Sequence, residues 1–271
     1  MAGLDALALR VLAPGFAGTS LPTDYAQLLR EGLGGICLFG SNVGPGLRAL
    51  TDSIRSAAAQ APVIAVDEEG GDVTRLEASS GSSVLGAAAL GAAGDLALTT
   101  ATGARVGAML ADAGIGLDLA PVADVNSNPA NPVIGTRSFA PSPGTAAEQV
   151  TAWCRGLQSA GVAACVKHFP GHGDTDQDSH LTLPVLDVPL ETLRSRELVP
   201  FAAAFEEGAA AVMTAHILVP SLDPDLPASL SPAAYGLLDE LGYAGLRVTD
   251  ALDMAGVSAG RGIPAAAVLA L

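Results

Sequence analysis

Short aliphatic runs alternate with longer stretches of helical periodicity along almost the whole chain, and that alternation restricts the possible folds most. The runs cover residues 35–39, 62–66, 116–120, 161–166, 210–214 and 245–249, with a seventh candidate, a short strand or helix end, at 7–11. Each is too short for a core helix and is dominated by aliphatic and other apolar residues, as a buried strand requires. Residues 21–31, 46–59, 96–113, 145–160, 190–208 and 232–241 carry the helical pattern between them. Pro22 and Gly32 punctuate the first of these, and Ser231 is placed to cap the last. Strands separated by helices predict a parallel sheet with helical crossovers.

Polar groups stand where several of these strands end: Asp67, Asp124, Lys167 with His168, His216 and Asp250. In a closed barrel every such exit borders one cavity, whereas in a doubly wound sheet only those at the switch point meet. The barrel therefore uses more of the sequence, and the expected fold class is α/β, a (β/α)8 TIM-like barrel.

Composition excludes several functions. With 13 Lys and Arg against 28 Asp and Glu, the formal charge is -15, which repels nucleic acid and anionic lipid. No stretch is long and apolar enough to span a bilayer, and the N-terminus has no basic segment ahead of its apolar residues. A cytoplasmic location is expected, with a secreted form left open. Cys37, Cys154 and Cys165 are odd in number and widely spaced, so they read as reduced residues. No glycine-rich phosphate or dinucleotide fingerprint is present.

The segment Lys167-His168-Phe169-Pro170-Gly171-His172-Gly173-Asp174-Thr175-Asp176-Gln177-Asp178-Ser179-His180 concentrates chemistry at one strand exit. Metal ligation is the first alternative to weigh. Pro170, Gly171 and Gly173 make the spacing of His168 and His172 non-helical, and no Glu lies inside it, so neither metal nor cofactor is expected. A fixed cation, several donors and a Ser-linked Asp/His pair suit a polyhydroxylated ligand better. A second polar exit, Asp67-Glu68-Glu69-Gly70-Gly71, is too acidic for the core, with Glu68 and Glu69 read as structural partners of backbone or arginine.

Residues 167–173 with Asp178-Ser179-His180 resemble the signature of glycoside hydrolase family 3, in its β-N-acetylhexosaminidase branch. Residues 67–76, 120–126, 135–139, 213–216 and 249–254 are similar to further elements of that family and fall in its order. Glu68 and Asp72 depart from the family's usual Gln and Arg. The resemblance implies one catalytic barrel of the family's N-terminal type over residues 1–271, C-terminally incomplete and lacking its last β/α unit, with self-association through the open edge as one consequence. It further implies retaining hydrolysis of terminal β-linked N-acetylglucosamine, taken from cell-wall fragments such as muropeptide-like molecules or from chito-oligosaccharides. Asp250 is then the nucleophile and His180 the acid/base, assisted by Asp178. Asp67, Arg75, Arg137, Lys167, His168, His216 and Met213 are the expected substrate-binding residues.

The chemistry is consistent on its own terms. A retaining glycosidase places a carboxylate beside the anomeric carbon and a proton donor near the leaving oxygen, and an imidazole titrates where it can give and then take that proton. Two alternatives stand beside hydrolysis: a phosphorylase using the same residues, and a sugar-binding barrel without turnover.

Overall fold

A computed structural model describes residues 3–179 and 181–271. Helix α1 (Leu4–Arg10) and helix α2 (Thr23–Glu31) precede β1 (Gly35–Cys37), and α3 (Leu47–Ala57) leads to β2 (Val63–Val66). Helices α4 (Ala87–Ala93) and α5 (Leu96–Asp112) cross to β3 (Leu117–Asp118), and α6 (Pro143–Ser159) to β4 (Ala163–Phe169). One long helical segment follows: α7 (Leu190–Thr192), a π-helical turn (Leu193–Glu197) and α8 (Leu198–Glu206). It delivers β5 (Ala211–Thr214). After a small antiparallel pair, β6 (Leu218–Val219) and β7 (Asp223–Pro227), come α9 (Pro232–Glu240), β8 (Leu246–Thr249), α10 (Ala255–Ser258) and α11 (Ile263–Leu269).

The main sheet is parallel, in the order β1-β2-β3-β4-β5-β8. The strands of this sheet follow one another in chain order, with only the separate β6–β7 pair intervening before β8, so the sheet never reverses and has no switch point. It is a singly wound, curled half-barrel, the TIM-like α/β arrangement expected. The outer edge of β1 is occupied: the amides of Gly34, Gly35 and Cys37 donate to the carbonyls of Leu9, Leu12 and Pro14. Among the described residues, β8 pairs only with β5.

Alternation along each strand sorts its residues. Ile36, Ile64, Val66, Ala164, Val166 and Val212 belong to the large core formed with the helices. Their neighbours Ala65, Cys165, Ala211 and Met213 join Leu117 and Leu119 in a second, smaller apolar cluster. Two residues beyond Ala65 and Cys165, on the same side of their strands, come Asp67 and Lys167. The carboxyl ends of the strands therefore carry polar groups above an apolar floor.

Several expectations are settled or corrected. Of the two readings left open for residues 7–11, strand or helix end, the helix end holds: residues 4–10 form α1, and an extended segment after them occupies the edge of β1. The fourth strand runs to Phe169, three residues past the expected end, so Lys167 and His168 sit on the strand and not on its loop. The loop after Pro220 contains β7, whose Pro- and Asp-rich sequence hid it. Helix α4, nearly all Ala and Gly, gave no periodic signal, and two short helices end the chain where at most one was expected. All three cysteines are free, Cys154 and Cys165 buried and Cys37 half-buried.

Helices α5 and α6 approach most closely through glycine. A Cβ at Gly103 would lie 2.6 Å from the Trp153 carbonyl oxygen, and one at Gly156 would overlap the carbonyl of Thr100. Replacing Gly156 by Ala forces two backbones apart, and such overpacking costs about 1–3 kcal/mol. Urea unfolding of the Gly156→Ala variant should show a lower midpoint with an unchanged slope.

Candidate active site

Lys167 occupies the centre of the strand exits. It is 2% exposed, and its Nζ lies 2.6 Å from Asp67 Oδ1 and 2.7 Å from Glu69 Oε1. Burial alone would lower its pKa; the two carboxylates more than offset that and raise it. Glu69 is shared, because Arg137 grips it with a two-pronged contact, Nε to Oε2 at 2.9 Å and Nη2 to Oε1 at 2.7 Å. Burial opposes ionisation of Glu69, yet Lys167 and Arg137 outweigh it and hold its pKa at about 2. Arg75 approaches Asp67 at 3.9 Å from the more open side.

The turn that presents Asp67 and Arg75 is closed by Glu68. Its Oε2 accepts the amides of Arg75 at 2.8 Å and Leu76 at 2.9 Å, while its own amide donates to Asp118 Oδ1 at 3.0 Å. Asp118 is fully buried on β3, and burial raises its pKa well above the ordinary range. That shift favours the protonated acid beside Glu68. Sequence reading missed Asp118; a lone acid inside a short aliphatic run was the available signal.

Asp124 organises the next exit. Its Oδ1 accepts the amides of His168 at 3.2 Å and His172 at 2.8 Å, and Oδ2 meets His168 Nδ1 at 2.7 Å. Burial opposes its ionisation, but His168 and the other donors prevail and its pKa falls. Facing a carboxylate, His168 Nδ1 carries a proton, and Nε2 lies 3.4 Å from Arg137 Nη2. His172 is spent inside its own loop, with Nδ1 2.6 Å from Thr175 Oγ1 and Nε2 3.2 Å from Ser179 Oγ. Burial, then His168, lower its pKa, consistent with a neutral structural ring. Asp178 is half-buried on that loop, and His180 lies outside the described residues.

Asp250 follows β8 directly. Its amide donates to the Thr214 carbonyl at 2.9 Å, and its Oδ1 accepts the Ala251 amide at 2.8 Å. Burial opposes its charge, but His168, His216, the Ala251 amide and Lys167 together lower its pKa below the ordinary value. His216 is fully buried, with Nε2 2.9 Å from the Ala251 carbonyl and Nδ1 2.7 Å from Ser229 Oγ. The carbonyl accepts a hydrogen bond from Nε2, and Nδ1 meets the serine hydroxyl. Burial lowers the pKa of the ring. Its geometry braces the segment after Asp250. Met213 lies in the apolar cluster beneath, 5% exposed.

The structure thus brings Asp67, Arg75, Arg137, Lys167 and His168 into one connected network, and Lys167 and His168 both act on Asp250. It places Met213 below that network and His216 behind Asp250. Asp124, noted in the sequence as a polar exit and not as a site residue, proves central to the geometry. Among the described residues no cluster of three or more His, Cys, Asp or Glu forms a metal-holding group.

Sheet and exits together define a parallel barrel-type domain with a polar site at the carboxyl ends of its strands. The chain belongs to glycosyl hydrolase family 3, whose N-terminal domain matches residues 20–271. It is 39% identical over 268 residues to beta-hexosaminidase A of Pseudoalteromonas piscicida, covering 89% of this chain and 45% of that protein. It is 34% identical over 272 residues to a beta-hexosaminidase of Stenotrophomonas maltophilia, covering 94% of this chain and 78% of that one. A family 3 beta-N-acetylglucosaminidase from a Paenibacillus species superposes with a TM-score of 0.95 at 41% identity, over 100% of this chain and 53% of that one. The chain therefore spans about half the length of the Pseudoalteromonas and Paenibacillus proteins.

Two predictions follow from the charge network. Lys167→Ala leaves Asp67 and Glu69 buried beside each other without their cation, which should cost about 3–5 kcal/mol in denaturant unfolding. Because the pKa of Glu69 is depressed in the folded state, its contribution is complete above the ordinary value of 4.5 and is lost as pH falls towards about 2. Stability measured across that window should therefore fall less steeply in Glu69→Gln than in the parent.

Proposed function

We propose that this chain carries out retaining hydrolysis of terminal β-linked N-acetylglucosamine, taken from cell-wall fragments or chito-oligosaccharides. The observation that carries the reading is an ionised carboxylate, Asp250, fixed at a strand exit beside a network of buried cations and acids. The names of the related beta-hexosaminidases and beta-N-acetylglucosaminidase support the same substrate class.

In this reading an Asp250 carboxylate oxygen attacks the anomeric carbon as the glycosidic C–O bond breaks. The leaving oxygen takes a proton from His180, which Asp178 orients. Water then attacks the anomeric carbon of the glycosyl ester, its proton passes to His180, and Asp250 leaves as carboxylate. Asp67, Arg75, Arg137, Lys167 and His168 hold the sugar. The Lys167 and Arg137 charges are already balanced by Asp67 and Glu69, so a neutral polyol suits the site better than an anion. Among the described residues no helix is long and apolar enough to cross a membrane.

Release of 4-nitrophenol from its β-N-acetylglucosaminide tests this reading. The parent chain should turn over, Asp250→Ala should lose nearly all activity, and His180→Ala should lose about 100-fold or more. Product formation that requires inorganic phosphate would replace hydrolysis by phosphorolysis. Since Asp250 has a depressed pKa, the acid limb of kcat/KM that it contributes should fall below pH 3.8. A limb at or above that value would count against Asp250 as the nucleophile.

A further inference from the structure

The helical segment between β4 and β5 is interrupted by the π-helical turn Leu193–Glu197, although no proline or glycine lies within it. A widened turn of this kind has poorer hydrogen bonding and persists where side chains need the altered direction. Here the side chains are Arg196 and Glu197. Glu197 is fully buried, and burial pushes its pKa up to about 7. Its Oε1 lies 2.5 Å from Arg196 Nε, and its Oε2 has no hydrogen-bond partner among the described residues.

Both residues face the loop that leaves β4. Arg196 Nη2 lies 2.6 Å from Asp174 Oδ2, and Asp174 Oδ1 accepts from Ser127 Oγ at 2.8 Å. Gly171, at φ +131°, lies against Glu197 so closely that a Cβ would sit 2.8 Å from the Glu197 Cβ. The loop's other end is tied at Ser179, whose carbonyl accepts the Gly256 amide at 3.2 Å. Asp178 lies between these ties. Arg196 itself makes its side-chain bonds only to Asp174 and Glu197 among those described, outside the Lys167 network.

We propose that Arg196 is a positioning residue: through Asp174, and backed by Glu197, it clamps the 171–179 loop, and with it Asp178, at the place from which a proton reaches the leaving oxygen. The inference rests on the hydrolase reading above and assigns a role to a residue whose described side-chain bonds go only to Asp174 and Glu197. Arginine suits the task because its rigid fork spans two carboxylates at once, which an ammonium cannot do with the same geometry.

Leaving-group dependence separates this role from general damage. A 2,4-dinitrophenolate departs without protonation, whereas the sugar hydroxyl released from chitobiose requires it. Arg196→Ala should lower kcat/KM on chitobiose by about 100-fold while leaving the 2,4-dinitrophenyl glycoside within about 3-fold. Arg196→Lys, which keeps a charge within reach of Asp174, should recover part of the loss on chitobiose. Equal losses on both substrates, or none on either, would overturn the positioning role. Hydrogen exchange read by mass spectrometry provides an arm independent of turnover: the amides of residues 174–179 should exchange faster in Arg196→Ala than in the parent. Unchanged exchange there would overturn the clamp. A parent chain inactive on both substrates sinks the hydrolase reading instead, and the exchange result still decides whether the clamp exists.

Discussion

A buried ammonium held between two carboxylates is the interaction on which the site depends. Lys167 sits where β4 leaves the sheet, and Asp67 and Glu69 come from the exit of β2. Removing three charges from water is costly, and the arrangement survives because each charge finds a close partner and Arg137 adds a second cation to Glu69. Moving any one of these groups exposes the desolvation cost of the others. The network therefore fixes the relative position of three chain segments, those carrying Asp67, Arg137 and Lys167. Such fixing is what preorganised recognition of a ligand requires.

Around that centre, carboxylates act mainly as acceptors for backbone. Glu68 closes the turn of residues 67–76, Asp118 holds the amide of Glu68, and Asp124 gathers two histidine amides and a ring nitrogen. These acids are buried and shape the loops whose amides they accept. Asp250 differs in kind. It is half-buried, holds one adjacent amide, and feels several cations, which leaves its carboxylate charged and less committed to the scaffold. The same residue type thus serves two ends, decided by how many donors the fold aims at it.

Much of this was legible in advance. The alternation of aliphatic runs with helices predicted a parallel barrel-type sheet, because strand and helix periods differ and buried parallel strands carry a continuous apolar signature. Lys167, His168, Asp67 and Asp250 stood out because charge at the end of an apolar run has no packing explanation. Helix α4 and strand β7 were not legible. A run of Ala and Gly has no amphipathic face, and a segment rich in Pro and Asp forms a strand only because β6 lies beside it. Residues 7–11 were legible only as strand or helix end, because a short apolar run is compatible with either; the helix end holds, and the residues after it form the extended segment that covers the edge of β1.

The sequence by itself determined the alternation of the main strands with the longer helices and the residues delivered to the strand ends, because both follow from local period and chain position. Only the tertiary structure decided who pairs with whom. Glu69 became the shared partner of Lys167 and Arg137 across sequence separations that no local pattern records, and Asp124 became the acceptor for a loop more than forty residues away. Arg196 was indistinguishable from a surface charge until the π-helical turn aimed it at Asp174. The physical reason is that partner choice for a buried charge is set by distance in three dimensions and by the cost of leaving it unpaired, and neither is written in the neighbours along the chain.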